Sequence, residues 1–279
     1  MSTSNRTTRP RPGRRGRWGH AALLVVTGLT LAFLYVPIGV ILLYAFNANR
    51  VPTWPPTGFT LDWWSRAFAS EEVRNALLLS LEAGLGATSI ALLLGSLAAF
   101  AVQRFAFFGR ETVSFLVVLP LALPGIVTGM ALNSAFRTIG ADFGLFTIIV
   151  GHATFCVVVI YNNVIARLRR TSRSIEEASM DLGADTWQTF RFITLPAIRT
   201  ALLAGGLLAF ALSFDEVIVT TFTAGTQATL PIFILSNYLR PNQAPIVNVV
   251  AVVIILLSAV PVYLASRLSG ESTGVSARG

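Results

Sequence analysis

Three carboxylates sit in stretches that are otherwise apolar. Glu82 lies in LLLSLEAGLGATS, and Asp215 and Glu216 lie together in FALSFDEVIVTTF. An ionisable group is costly inside hydrocarbon, and such groups usually face a cavity or a solute path. Fixed negative charge of this kind suits a positively charged solute. Other chemistries are excluded by residue type. All 21 basic residues are arginine. Without lysine the chain can build neither a phosphate-binding P-loop nor a Schiff base. The ligand supply for a zinc site is His20, His152 and Cys156, with no second ligand near His152, so no metal is expected. Cys156 reads as a small buried hydrophobe, and Asn162 and Asn163 as bridges between helices.

The elements that must hold these acids follow from composition. The 279-residue chain is 54% hydrophobic and 12% charged, with mean hydropathy +0.68. A soluble domain carries roughly 25% charged residues. Six apolar stretches reach the roughly 20 residues needed to cross a bilayer: 21–46, 76–102, 112–132, 143–166, 200–222 and 245–266. Their runs are continuous rather than alternating, which argues against a barrel. The first is too long for a signal peptide and lacks a small-residue cleavage site, so it is expected to be retained. The chain therefore reads as an all-α, multi-pass integral membrane protein.

Arginine placement sets the expected orientation. The tail 1–20, the loop at Arg104 and Arg110, the loop 167–199 and the C-terminal tail 267–279 hold sixteen arginines, against five on the other face. The positive-inside rule then puts both termini in the cytoplasm. The net charge of +8 is topogenic on this reading, with membrane lipid as its partner and no nucleic acid. Residues 1–20 are expected to be a disordered tail. Residues 21–74 form the first span and an external loop, with Trp54, Trp63 and Trp64 at the interface. Residues 75–266 form the main domain. A second external loop, 223–244, carries the apolar piece 230–235, too short to span. Pro120, Pro124, Gly125 and Gly129 interrupt the third span. At a rise of about 1.5 Å per residue, Glu82 and Asp215 each fall about 10 Å from the outer face. Within one continuous helix Asp215 and Glu216 would diverge by about 100°, so both could not face one lumen. Asp215 could instead be spent on hydrogen bonds to Ser213, Thr220 or backbone.

The longest inner loop, 167–199, carries a compact helix–glycine–helix pattern. Ser174 is a candidate N-cap with Glu177 completing a capping box. A helix over 175–182 would end at a left-handed Gly183. Asp185 would cap a second helix over 186–192, and Pro196 would open the fifth span. Such a unit beside the membrane presents a small face to a cytosolic partner.

Glu177-Ala178-Ser179, then Gly183, then Ile193-Thr194-Leu195-Pro196, resembles the EAA loop of ABC-importer permeases: E-A-A, three residues, G, nine residues, I-x-L-P. Every spacing fits, and Ser179 in place of the second alanine is the one departure. The resemblance extends from about Asn75 through the sixth span. It implies the type I ABC importer permease fold and alternating access, and it gives the loop the role of a coupling helix. The ATP-hydrolysing partner would bind ATP and magnesium, this chain would hold no cofactor of its own, and it would not be an enzyme. Glu177, Ala178, Ser179 and Gly183, with Ile193, Leu195 and Pro196, would shape the docking surface for a cytosolic ATPase dimer. A second permease subunit and an extracytoplasmic binding protein would complete the complex. The segments at Pro120–Leu132 and Ser213–Gly225, the latter followed by TLPIF, resemble the spermidine/putrescine branch. That implies a polyamine cargo, with Glu82, Asp215 and Glu216 as the path residues. Other readings are a permease for an opine, an amino acid-like compound or a metal ion, a self-contained ion-coupled transporter, and an intramembrane hydrolase, for which no histidine dyad suggests itself.

Overall fold

A computed structural model of the chain describes residues 14–240 and 243–274. The expected disordered tail falls mostly on residues 1–13, and the end of the C-terminal tail on residues 275–279, both outside the described residues. The described part of the N-terminal tail is helical, since helix α1 covers Arg14–Ala45. After it come α2 (Asp62–Ala69), α3 (Glu71–Arg104), α4 (Arg110–Ala122), α5 (Gly125–Thr138), α6 (Leu145–Arg170), α7 (Arg173–Asp181) and α8 (Thr186–Thr189). A π-helical turn, Phe190–Thr194, leads into α9 (Leu195–Phe214), followed by α10 (Ile218–Thr223), α11 (Leu230–Asn237) and α12 (Ala244–Gly274). Among the described residues there is no strand, only an isolated antiparallel bridge between Asn47 and Phe59.

Five helices are long and apolar enough to cross a membrane, and α4 with α5 makes a sixth if that pair counts as one broken span. The pair corresponds to the third expected span, and the chain turns by 105° between its halves. Pro124 supplies no N–H there, and Gly125 starts the second half. The fifth expected span, 200–222, also departs from one continuous helix. It stops at Phe214 and resumes only at Ile218. The sixth runs on as helix to Gly274, into the segment expected to be a tail.

The core forms along α3 and α6, which pack against each other more extensively than any other pair, and α9 joins them. The buried face of α3 is a seam of small residues at helical spacing, including Ala83, Ala87, Ala91, Gly95 and Ala99. Lipid removes the hydrophobic drive between helices, so close backbone approach supplies the contact energy. At Gly95 backbone approaches backbone. A Cβ there would sit 2.8 Å from the carbonyl oxygen of Val157 and 2.9 Å from Cβ of Ile160. Among the long helices α1 is the exception, with its apolar side chains outward and α12 as its main neighbour.

The tryptophans expected at the interface differ in their packing within the segment after α1. Trp54 is exposed, but Trp63 is buried against Ala45, Ala67 and Val249 and donates its indole N–H to the carbonyl of Asn47 at 2.9 Å. Helix α2 lies against α12 and turns Trp63 into the protein. The short apolar piece near 230 forms α11, with Leu230 and Phe233 packed on Val73, Ala76 and Phe214.

Candidate functional site

The unit between α6 and α9 is built by local chemistry. Ser172, not Ser174, caps α7, accepting the N–H of Ser174 at 3.3 Å. The Ser174 hydroxyl is taken up by that of Ser172, 2.6 Å away, and Glu177 pairs with Arg173 at 3.2 Å instead of closing a capping box. Helix α7 ends in a Schellman motif. Gly183 donates to Met180 O and Ala184 donates to Ser179 O, which requires the positive φ of +92° at Gly183. Asp185 then caps α8 reciprocally with Gln188, at 2.7 and 2.9 Å.

The second helix of the unit does not stop before the fifth span. Residues Thr186–Phe214 run as one helical stretch, and Pro196 lies inside it rather than at its start. The π-turn immediately before makes this possible. Proline has no N–H for the helical ladder, and the wider turn accommodates that loss. A continuous helical rod therefore links α8 to the core of the bundle.

One ion pair fixes the unit to the bundle. Arg104 Nη2, at the end of α3, contacts Glu176 Oε1 at 2.8 Å, and the Thr194 hydroxyl donates to the same oxygen at 3.1 Å. Both charged side chains are nearly buried, at 11% and 12% exposure. Ser179 meets Thr189 through their hydroxyls at 3.2 Å, tying α7 to α8. Arg167 Nε donates to Ala197 O at 2.9 Å and joins the end of α6 to the start of α9. A cavity of about 450 Å³ lies beneath, between Phe100, Arg104, Met180 and Trp187. Outside, Glu177, Ala178, Gly183, Leu195 and Pro196 are exposed, and Ile193 is half-buried. Leu182 and Trp187 project at 90% and 64% exposure.

The acids lie at the other end of α9. Asp215 is the residue after its last turn, is exposed, and accepts no hydrogen bond among the described residues. Glu216 is half-buried, and its Oε1 accepts the N–H of Val219 at 3.0 Å, capping the start of α10. Because both stand in a break, the 100° divergence expected for one continuous helix does not apply. Glu82 is exposed on α3. Helices α3 and α9 run antiparallel, with Gly84 against Phe210 and Gly206 against Leu92, which sets Glu82 level with about residues 212–216. Counting along α9, Asp215 stands about 30 Å from Leu195. The two ends of this one rod thus carry the projecting elbow and the acidic turn.

Residues 91–270 match the family model described as the binding-protein-dependent transport system inner membrane component. The chain belongs to this family. As an inner-membrane transport component it is a multi-pass permease subunit rather than an enzyme. It is 36% identical over 241 residues to the putrescine transport system permease protein PotI of Escherichia coli K12, covering 83% of this chain and 85% of that one. To the spermidine/putrescine transport system permease protein PotC of Haemophilus influenzae it is 31% identical, covering 86% and 93%. Among solved structures it resembles a bacterial ABC transporter involved in import of the acidic polysaccharide alginate, at TM-score 0.72 and 16% identity, over 94% of this chain and 99% of that one. It also resembles the inward-facing MetNI methionine ABC transporter, at TM-score 0.56 and 19% identity, over 71% and 97%. These likenesses establish the type I ABC importer permease fold for this permease.

Sequence reasoning missed four side chains that the structure of the permease brings into these two places. Glu176, next to the motif glutamate, is the one that faces inward. Arg104 is its partner 72 positions away, and Thr194 completes the cluster. The fourth is His152, fully buried, with Nδ1 2.8 Å from Ser213 Oγ and Nε2 2.8 Å from Thr220 Oγ1. Ser213 and Thr220 are therefore occupied by His152 and not by Asp215. The inward face of an α7 helix capped at Ser172 would have indicated Glu176. No local signal marks the histidine, since its partners lie 61 and 68 positions away.

Proposed function

We propose that this permease carries polyamines such as putrescine and spermidine into the cytoplasm, as the membrane subunit of an ATP-driven importer. The observation that supports the cargo is the acidic turn at Asp215 and Glu216. It is held in a helix break level with Glu82, and among the described residues the Asp215 carboxylate accepts no hydrogen bond. Relatives named for putrescine and spermidine transport, alike over most of the chain, point the same way. A flexible polycation gains from several separated carboxylates, each engaging one ammonium group.

On this reading both termini and the elbow face the cytoplasm, in keeping with the arginine distribution. Leu182, Trp187, Glu177 and Ala178 meet one subunit of an ATPase dimer, which binds the ATP and magnesium. Closure of the dimer pushes α7 and α8. The Arg104–Glu176–Thr194 cluster passes the push to α3 and α9 together, so the bundle tilts without shearing the elbow off. A binding protein presents solute at the opposite face, and a second, similar permease completes the path.

The test is uptake of radiolabelled putrescine into proteoliposomes holding the purified permease pair, the ATPase and the binding protein. Uptake that requires ATP and the ATPase, and that spermidine competes for, supports the proposal. Uptake by this chain alone, driven by an ion gradient, would make it a secondary transporter. ATP-dependent uptake of another solute, with none of putrescine, would overturn the cargo.

A further inference from the structure

We propose that His152 is a positioning residue for the solute path: a clasp that fixes the shape of the acidic turn and so sets how strongly cationic solute is held. The inference rests on the cargo reading above.

The break in the fifth span contains neither glycine nor proline between Phe214 and Ile218. Nothing in its local sequence forbids the helix from running straight through, and a straight helix would send Asp215 and Glu216 in different directions. Tertiary contact holds it open. His152 on α6 reaches Ser213 on the near side of the break and Thr220 on the far side, each at 2.8 Å. All three residues are buried, at 1%, 3% and 0% exposure.

The proton positions follow from the chain of contacts. The Thr220 hydroxyl donates to the carbonyl oxygen of Glu216 at 2.7 Å. Its oxygen is then the acceptor toward His152, so Nε2 carries the hydrogen and donates. Nδ1 is left as the acceptor and receives the Ser213 hydroxyl. A neutral imidazole with hydrogen on Nε2 satisfies every member of the set, and the line ends on the backbone of Glu216 itself. The turn cannot straighten without breaking bonds in a dry interior, where an unpaired polar group is costly. Nearby, Thr147 Oγ1 donates to Thr223 O at 2.7 Å and holds the far end of α10 to the same helix, α6.

A glutamine at this position could reproduce the pattern, its amide N–H replacing Nε2–H and its carbonyl replacing Nδ1. Leucine could not. The experiment measures ATP-driven putrescine uptake by the complete importer in proteoliposomes, with half-saturating concentration and maximal rate determined separately. His152→Leu is expected to raise the half-saturating concentration about tenfold while the assembled complex keeps its ATPase activity, and His152→Gln to recover most of that loss. Ser213→Ala, which removes the bond to Nδ1, and Thr220→Val, which removes the bonds to Nε2 and to the Glu216 carbonyl, are expected to raise it about threefold or more, and they carry the test if His152→Leu fails to assemble. In an Asp215→Asn, Glu216→Gln background the His152 and Thr220 substitutions are expected to add nothing further. Unchanged half-saturation in Thr220→Val and His152→Leu, or fully additive effects in the acid-free background, would overturn the clasp while leaving the cargo reading intact. Normal putrescine uptake by the acid-free variant would overturn the clasp and take Asp215 and Glu216 out of the path, whereas no putrescine uptake by the parent importer would overturn the cargo reading.

Discussion

Arg104 and Glu176 meet at 2.8 Å although 72 positions separate them, and the Thr194 hydroxyl shares the same carboxylate oxygen. The contact joins the end of α3, the elbow helix α7 and the turn that leads into α9. Removing one member of a nearly buried pair leaves the other charge uncompensated, which is costlier than losing an exposed pair. Glu176→Gln is therefore expected to lower ATP-driven uptake about tenfold or more. The exposed neighbour change Glu177→Gln should cost less stability, because its pairing with Arg173 is solvent-screened. Comparing uptake per ATP hydrolysed in the two variants checks this. Equal coupling in Glu176→Gln and the parent would show that the pair does not transmit movement.

Gly183 adopts φ +92°, where a Cβ clashes with the following carbonyl, at a cost of roughly 1–2 kcal/mol. No side chain crowds the site, so the penalty is one of backbone alone. Gly183→Ala is expected to weaken co-purification with the ATPase, and Gly183→Asn, which tolerates the left-handed region better, to weaken it less. Pull-down yields from solubilised membranes decide it, and the reverse ranking would refute the conformational explanation.

Leu182 and Trp187 project from the tip of the elbow, with Trp187 stacked on Phe190 at 5.6 Å and otherwise largely exposed. Leu182→Asp and Trp187→Ala should leave the thermal stability of the purified permease within about 0.5 kcal/mol of the parent. Each is nonetheless expected to abolish ATPase binding, since burying an aspartate or emptying an aromatic anchor at an interface costs about 2 kcal/mol or more. Thermal unfolding in detergent and binding to purified ATPase give the two readings. Retained binding by both variants would place the docking face elsewhere.

Gly95 lets α3 and α6 approach until a Cβ would come within 2.8 Å of the Val157 carbonyl oxygen. Backbone cannot yield as a flexible side chain can, so Gly95→Ala is expected to destabilise the bundle by about 1–3 kcal/mol. Gly28→Ala on α1, where nothing lies within 4 Å, serves as the control and should change little. A lowered melting temperature in the first and none in the second is the expected pair of results.

Neutralising the acids separates path from scaffold. Glu82→Gln and Asp215→Asn are both exposed changes and should leave assembly intact while reducing cation uptake, most clearly in combination. Glu216→Gln also alters the group that caps α10, so some of its loss is expected to appear as lowered stability, about 1 kcal/mol. Uptake equal to the parent in the Glu82→Gln, Asp215→Asn double variant would remove these acids from the path.

Much of this protein was legible before any coordinates. Apolar runs of about 20 residues can be satisfied only as helices in lipid, because every backbone polar group must find its partner within the segment. Hence the all-helical bundle. The turn at Gly183 and the cap at Asp185 were legible because those bonds close within five residues. Tertiary structure alone decided the rest. A single apolar run cannot reveal that its middle folds back by 105°, as at Pro124, or that a buried histidine on another helix pins it open, as between Ser213 and Thr220. Which of two adjacent glutamates turns inward went with a two-residue shift of the helix start, to Ser172 from Ser174, and with an arginine 72 positions away. Contacts between distant segments leave no period in the sequence, so only the packed bundle could show that Arg104 is the partner that holds Glu176 inside.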